Sequence, residues 1–219
     1  NFSSTSFDLL LQHQQDLQNL IRSGRKWFGE EFDLNTTRNF SFSLNNLISS
    51  EPVFVRTALA ARSLGVSSSW TLRANGSTYA NVNVPSVTSY YLDTFMQEQL
   101  HEGNLNLSSN SLNMSITYNK PNNFSVGWLD FIELQARANL SLGGFGNQFI
   151  LRDKNSIAPG RITSFDIAGI NSNARVWDVS NIAAIRAVPL SNTSRGAAFT
   201  AATDSLRQFI VFSGNNFPA

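Results

Sequence analysis

Short runs of alternating bulky and polar side chains return about every ten residues along this chain, and that rhythm limits its fold more than any other feature. Phe40 and Phe42 alternate with Ser41 and Ser43, and Phe7, Leu9 and Leu11 alternate with Asp8, Leu10 and Gln12. Residues 53–58, 69–73, 78–80, 112–118, 148–152, 162–167, 174–179, 185–188, 197–201 and 208–212 read as further extended runs, as does one opening at Trp128. A period of two places every second side chain on one face of a strand, so each run can bury one face and wet the other. Clusters of Asn, Ser and Gly separate the runs. The expected fold is all-β, a β-sandwich of jelly-roll-like form.

Local signals refine this picture. Asn75-Gly76 predicts a tight hairpin, because a type I′ turn needs positive φ at both central residues. The Asn119-to-Asn123 stretch, which holds Pro121, predicts a second hairpin into the Trp128 strand, and Gly143-Gly144 a third reversal. Residues 90–99 are ambiguous in spacing and are read as a strand. Asp16 can cap a short N-terminal helix that places Leu17, Leu20 and Ile21 on one face and exits at Gly24. No Pro/Gly-rich linker divides the 219 residues and no 20–50-residue repeat is present, so a single domain, 1–219, is expected.

Composition closes off several function classes. With no cysteine, the chain has no disulfide, no thiolate metal site and no cysteine nucleophile. A net charge of +1 with scattered Lys and Arg leaves no phosphate-tracking surface, so nucleic acid is not an expected partner. No apolar run approaches the ~18 residues of a membrane-spanning helix. The start at Asn1, without the basic and apolar regions of a signal peptide, points to a processed or excised product. Seventeen Phe against two Met suggest a core of stiff, well-defined side chains.

The residues able to carry chemistry are few. On a strand Trp128, Asp130, Ile132, Leu134 and Ala136 share one face, while Glu133 and Arg137 lie on the other. Asp130 and Glu133 would then diverge, which argues against a paired-carboxylate hydrolase. Glu133 and Arg137 are expected to make cross-strand contacts on a wetter face. Asp153 and Asp178 suggest turn bonding, or with Arg152 a buried or rim network. Asp153 with Asn155, or Asn171 with Asn173, offers oxygen ligands for a structural calcium, without the acidic loop of an EF-hand. Otherwise no cofactor is expected. His13 and His101 lie in polar sequence outside any triad pattern and are expected on the surface or in turns. Exposed rings, Tyr90 or Tyr91 among them, could serve as sugar-stacking platforms of a carbohydrate-binding module. A free-standing hydrolase is the third alternative.

Several strings, taken in order, resemble the β-rich region ahead of the peptidase domain in PorU-type sortases of the type IX secretion system. Ser23-Gly24-Arg25-Lys26-Trp27-Phe28-Gly29-Glu30 is similar to the family's Ser-Gly-Arg-x-Trp-aromatic-Gly-Glu, and Gly127-Trp128-Leu129-Asp130-Phe131-Ile132-Glu133 to its Gly-Trp-Leu-Asp-aromatic-Ile-Glu. Arg137 stands where the family carries Arg, and Gln148-Phe149 with Arg152-Asp153 resembles Gln-Phe-x-x-Arg-Asp. Val176-Trp177-Asp178-Val179-Ser180 departs from Val-Trp-Asp-Val-Thr only in its last place. The resemblance implies a gingipain-like cysteine peptidase domain downstream, with Asn216-Phe217-Pro218-Ala219 as the junction. It also implies a place at the outer membrane or cell surface of a Gram-negative bacterium of the Bacteroidetes kind. The peptidase domain of the same polypeptide would be the main partner, with other outer-membrane secretion components beside it. No catalytic residue carries over to this chain. Trp27, Trp128 and Trp177 are expected as core anchors, and Arg25, Glu30, Asp130, Arg152 and Asp178 as polar ties between strands.

Overall fold

The structure, a computed structural model, describes residues 2–22, 24–170, 173–214 and 217. Its strands in chain order are β1 (Phe2–Ser4), β2 (Ser6–Gln14), β3 (Glu31–Phe32), β4 (Thr37–Ser43), β5 (Val53–Arg62), β6 (Ser68–Ala74), β7 (Ser77–Val84), β8 (Gln97–Leu105) and β9 (Ser111–Asn119). They continue with β10 (Val126–Asn139), β11 (Gln148–Arg152), β12 (Ile162–Ala168), β13 (Ala174–Asp178), β14 (Arg186–Val188), β15 (Ser191–Asn192), β16 (Gly196–Ala202) and β17 (Gln208–Ser213). The one helical element among the described residues is a single 3-10 turn, Lys154–Ser156. The alternating runs of the sequence thus become an all-β protein.

Two compact units emerge, without a linker between them in sequence. A terminal unit comprises Asn1–Leu9, Leu44–Glu51 and Ala136–Ala219; a central unit comprises Leu10–Ser43 and Pro52–Gln135. Strands β2 and β10 contribute residues to both.

In the central unit one sheet runs β2-β10-β5-β8, with β3 also on β10, and the other runs β4-β9-β6-β7. Trp70 of β6 is fully buried between them, edge-on to Phe32 at 4.9 Å and against Tyr118 at 4.7 Å. Gly127 of β10 faces this ring: a Cβ there would lie 2.5 Å from Trp70, which explains a glycine at the head of its string. The Asn75-Gly76 hairpin forms as expected, with φ of 47° and 85°, and joins β6 to β7. The turn at 119–123 instead links strands of different sheets, since β9 pairs with β4 and β6.

In the terminal unit the sheets are β1-β12-β16-β15 and β11-β17-β13-β14. Phe165 and Phe199 stack at 5.1 Å, and both meet Phe209 of the other sheet, at 5.6 and 4.8 Å. Phe7 packs on Phe149 at 5.2 Å and Phe145 at 5.8 Å. Each such ring contributes about 1.5–3 kcal/mol through burial, so aromatic contact between sheets defines both cores.

Three further elements depart from the sequence expectation. The helix proposed after Asp16 does not form. Gln18 and Phe28 instead exchange backbone hydrogen bonds of 2.9 and 2.8 Å, and a turn follows at 20–22. A helix this short gains too few internal bonds to resist that pairing. Residues 90–96 form turns, and strand begins only at Gln97. The third departure is a β-bulge. Leu129 pairs with Leu59 but Phe131 with Ala58, leaving Asp130 as an extra residue. The bulge reverses the alternation, so Trp128 lies on the face of Ala60 and Glu133, opposite Ile132 and Leu134.

Candidate functional site

The strings singled out in the sequence converge on two polar ties and one aromatic cap. In the terminal unit Arg137 of β10 is 9% exposed and Asp153 only 2%. Arg137 Nη1 donates to Asp8 Oδ1 and to Asp153 Oδ1, both at 2.8 Å, and Nη2 donates to the Ser6 hydroxyl at 2.5 Å. The Ser4 hydroxyl donates to Asp153 Oδ2 at 2.7 Å, the Asn155 amide to Asp153 Oδ1 at 3.1 Å, and the Lys154 amide to Asp8 Oδ2 at 2.6 Å. Burial alone would lower the Arg137 pKa; the Asp8 and Asp153 carboxylates outweigh it and hold the guanidinium above its ordinary value. The expectation of Arg137 on a wet face is therefore corrected: it is buried because two carboxylates accompany it.

This arrangement bears on calcium. Asp153 Oδ1 serves Arg137 and the Asn155 amide, and Oδ2 serves Ser4, so the guanidinium occupies the place a cation would need. Asn155 offers Asp153 its backbone amide. The alternative ligand Asn171 lies outside the described residues. No group of three or more His, Cys, Asp or Glu is placed to hold a metal among those described.

In the central unit Lys26 bridges Glu98 and Asp130, the latter at 3.2 Å, and lies 5.2 Å over the Phe28 ring. Desolvation would lower its pKa, but hydrogen bonds to Glu98 and Asp130 raise it. Nearby on the same face Arg56 meets Glu102 at 2.9 Å and Glu133 at 3.5 Å. Glu133 and Arg56 are direct cross-strand partners, as expected of Glu133. Because of the bulge, Asp130 and Glu133 do not diverge, yet each faces a cation. Trp128, 5% exposed, closes over Phe28 and Ala60 with Leu20, Met96 and Val126 around it. Trp27 is 44% exposed and no core anchor: the Gln18–Phe28 bridge fixes Phe28 inward and turns its neighbour out. Arg25 is exposed, and Ser23 lies outside the described residues.

Trp177 is half-buried. Its face opposes that of core residue Val176, and it packs on Phe212 at 4.9 Å and Phe217 at 6.0 Å. Asp178 Oδ1 accepts from the Ser180 amide at 2.9 Å, and Oδ2 lies 3.9 Å from Arg207, rather than joining Arg152 and Asp153. Arg152 sits half-buried on β11 opposite Gln208. The junction residues Asn216, Pro218 and Ala219 lie outside the described residues.

Both histidines occupy strands and are half-buried, not in turns. His13 Nε2 meets Glu30 Oε1 at 2.7 Å and its ring packs on Phe40 at 4.7 Å. His101 points inward from β8, 5.7 Å from the Tyr79 ring; burial pushes its pKa down. Burial likewise pushes Tyr79 up to about 12, the Thr57 hydroxyl pulling the other way. Glu30 lines an open polar cavity of ≈ 350 Å³ with Asn35, Thr37 and Arg38. Sequence reasoning missed the Glu30–His13 and Lys26–Asp130 pairs, which join residues remote along the chain.

No protein-family model matches the chain, and no curated protein does. Among solved structures, dimeric latent PorU from Porphyromonas gingivalis matches with a TM-score of 0.79 and 23% identity over 97% of this chain. The chain has a PorU-like fold. It spans 21% of that PorU chain's length. Two carbohydrate-binding modules of the CBM36 type match more weakly. One is from a xylanase of the Trinervitermes trinervoides hindgut metagenome (TM-score 0.37, 9% identity, 58% of this chain and 95% of that one). The other is bound to calcium and xylotriose (0.35, 14%, 57% and 98%). At such scores they carry no argument.

Proposed function

We propose that this chain is the non-catalytic β-sandwich region of a type IX secretion sortase, scaffolding or docking a gingipain-like cysteine peptidase domain of the same polypeptide at the bacterial cell surface. The observation that carries this reading is the match to PorU over nearly the whole chain by a piece that is one fifth of PorU. The placement of the shared strings supports it. Arg137 and Asp153 from two strings meet in a buried tie, and Lys26 and Asp130 from two others meet on a sheet face. Both serve to fix strands, and Asp130, Glu133 and Asp153 are each engaged by a cation. A rigid framework of this kind suits a domain that positions a catalytic neighbour.

The test is to express the chain alone and fused to the coding sequence directly downstream, and to assay both on peptides carrying a C-terminal sorting signal. Cleavage by the fused protein and none by the isolated chain is the expected result. Turnover by the isolated chain, or a stop codon directly after Ala219, would overturn the proposal.

A further inference from the structure

Between β7 and β8 the central unit carries an aromatic groove that neither polar tie uses. Its cavity is ≈ 540 Å³, within the range that small ligands fill, and is walled by Ile21, Arg62, Tyr90, Tyr91, Asp93 and Phe95 among others. Tyr90 is 61% exposed and Tyr91 83%, with their rings 5.1 Å apart at 60°. Two adjacent side chains on a strand would point to opposite faces; here the turn lets both rings stand in solvent together.

The turn is held in shape. Asp93 Oδ2 accepts from the Thr88 amide at 2.7 Å and the Thr88 hydroxyl at 2.6 Å, while Oδ1 accepts from the Thr94 amide at 2.8 Å. The Asp93 amide donates to the Tyr90 carbonyl at 3.0 Å, which anchors the first ring's backbone. Arg62 also lines the groove, 4.5 Å over the Phe95 ring, and donates to the Phe95 carbonyl at 2.5 Å. The rings are thus exposed on a backbone fixed by its own bonds, and a fixed platform loses little entropy when a ligand lands on it.

We propose that this groove binds a neutral glycan, with Tyr90 and Tyr91 as stacking platforms for the C–H faces of sugar rings and Asp93, Thr88 and the phenol hydroxyls at the rim for sugar hydroxyls. Three features select that chemistry. Tyrosine combines an apolar ring with a hydrogen-bonding tip, which matches a sugar's apolar face and polar edge. The polar lining is rich in hydroxyl and carboxylate oxygens, each able to accept more than one hydrogen bond. Among the described residues, Arg62 and Asp93 are the groove's one cation and one carboxylate, and they cancel, so an ionic ligand meets no net attraction. Glycan binding here would need no peptidase domain downstream, so it stands or falls apart from the proposed sortase role.

The experiment is to screen the purified chain on an array of neutral and acidic glycans, then titrate the best neutral hit calorimetrically at up to millimolar concentration. Binding to a neutral glycan is expected, weakened about tenfold or more by Tyr91→Ala and by Tyr90→Ala, and retained by Tyr91→Phe. Trp27→Ala, which removes an exposed ring outside the groove's lining, should leave affinity unchanged. Near-UV circular dichroism checks that the variants keep their packing; both tyrosines are exposed, so they should. Three outcomes would overturn the proposal: no neutral glycan bound, acidic glycans alone retained, or affinity unaltered in the Tyr90→Ala/Tyr91→Ala double variant.

Discussion

Each unit holds an arginine between two carboxylates, yet the two triads do different work. In the terminal unit Arg137 lies between Asp8 and Asp153 with side-chain exposures of 10%, 16% and 0%. In the central unit Arg56 lies between Glu102 and Glu133 with exposures of 32%, 49% and 18%. The charge count is the same. What differs is water. A buried triad has given up its hydration, so each member depends on the others; an exposed triad can exchange any partner for solvent. The resemblance strings include members of both triads, and burial alone tells which members hold the fold.

That contrast predicts the largest effect. Asp153→Ala would leave Arg137 with one carboxylate and the Asn155 amide without its acceptor, at a cost of about 3–5 kcal/mol in urea unfolding. Glu102→Gln in the exposed triad should cost about 0–1 kcal/mol. Equal losses at the two sites would erase the distinction drawn from burial. The aromatic strings offer a parallel test. Trp128→Ala, which opens the cluster with Phe28 and Ala60, should cost about 3–5 kcal/mol, and Trp27→Ala under about 1 kcal/mol. A reversed order would mean that the exposed ring, not the enclosed one, anchors its string.

A smaller effect is expected at the other end of the Trp128 string. Gly127→Ala places a methyl 2.5 Å from the fully buried Trp70 ring and 3.0 Å from Tyr118, and the Trp70 ring is itself packed on Phe32 and Tyr118. Overpacking of this kind costs about 1–3 kcal/mol. The measurement is the midpoint of chemical unfolding followed by Trp fluorescence; an unchanged midpoint would show that the two sheets can part without penalty.

The strands were legible because period-two alternation is a local property, and Asn75-Gly76 was legible because its turn demands residues that tolerate positive φ. The rest depended on contacts that no local pattern marks. Asp130 carries no sign of being the unpaired residue of a bulge, yet it decides which face Trp128 takes. Asp8 and Arg137 are 129 positions apart, so nothing near either one announced a buried tie. The apolar spacing of Leu17, Leu20 and Ile21 is genuine, but Gln18 found a strand-like partner in Phe28 first. The exposed Tyr90 and Tyr91 followed from a turn where the composition allowed a strand.

A third basic group sharpens the comparison of the two triads, because His101 is partly buried with no carboxylate among the causes that shift it. Burial disfavours its charged form, and its folded pKa lies below the ordinary 6.5. Above that value both folded and unfolded chains hold the ring neutral, so it has no effect on stability. As pH falls below about 6.5 the unfolded chain takes up a proton that the folded one resists, and stability declines until the folded pKa is passed. Arg137 shows the opposite sign, its carboxylates more than offsetting its burial. His101→Gln should therefore flatten the stability–pH curve between neutrality and about pH 5, with little change at about pH 8. The check is a series of urea titrations of both proteins across that window. Parallel curves would show that solvent reaches the ring freely, and that burial in this part of the central unit is too shallow to select a protonation state.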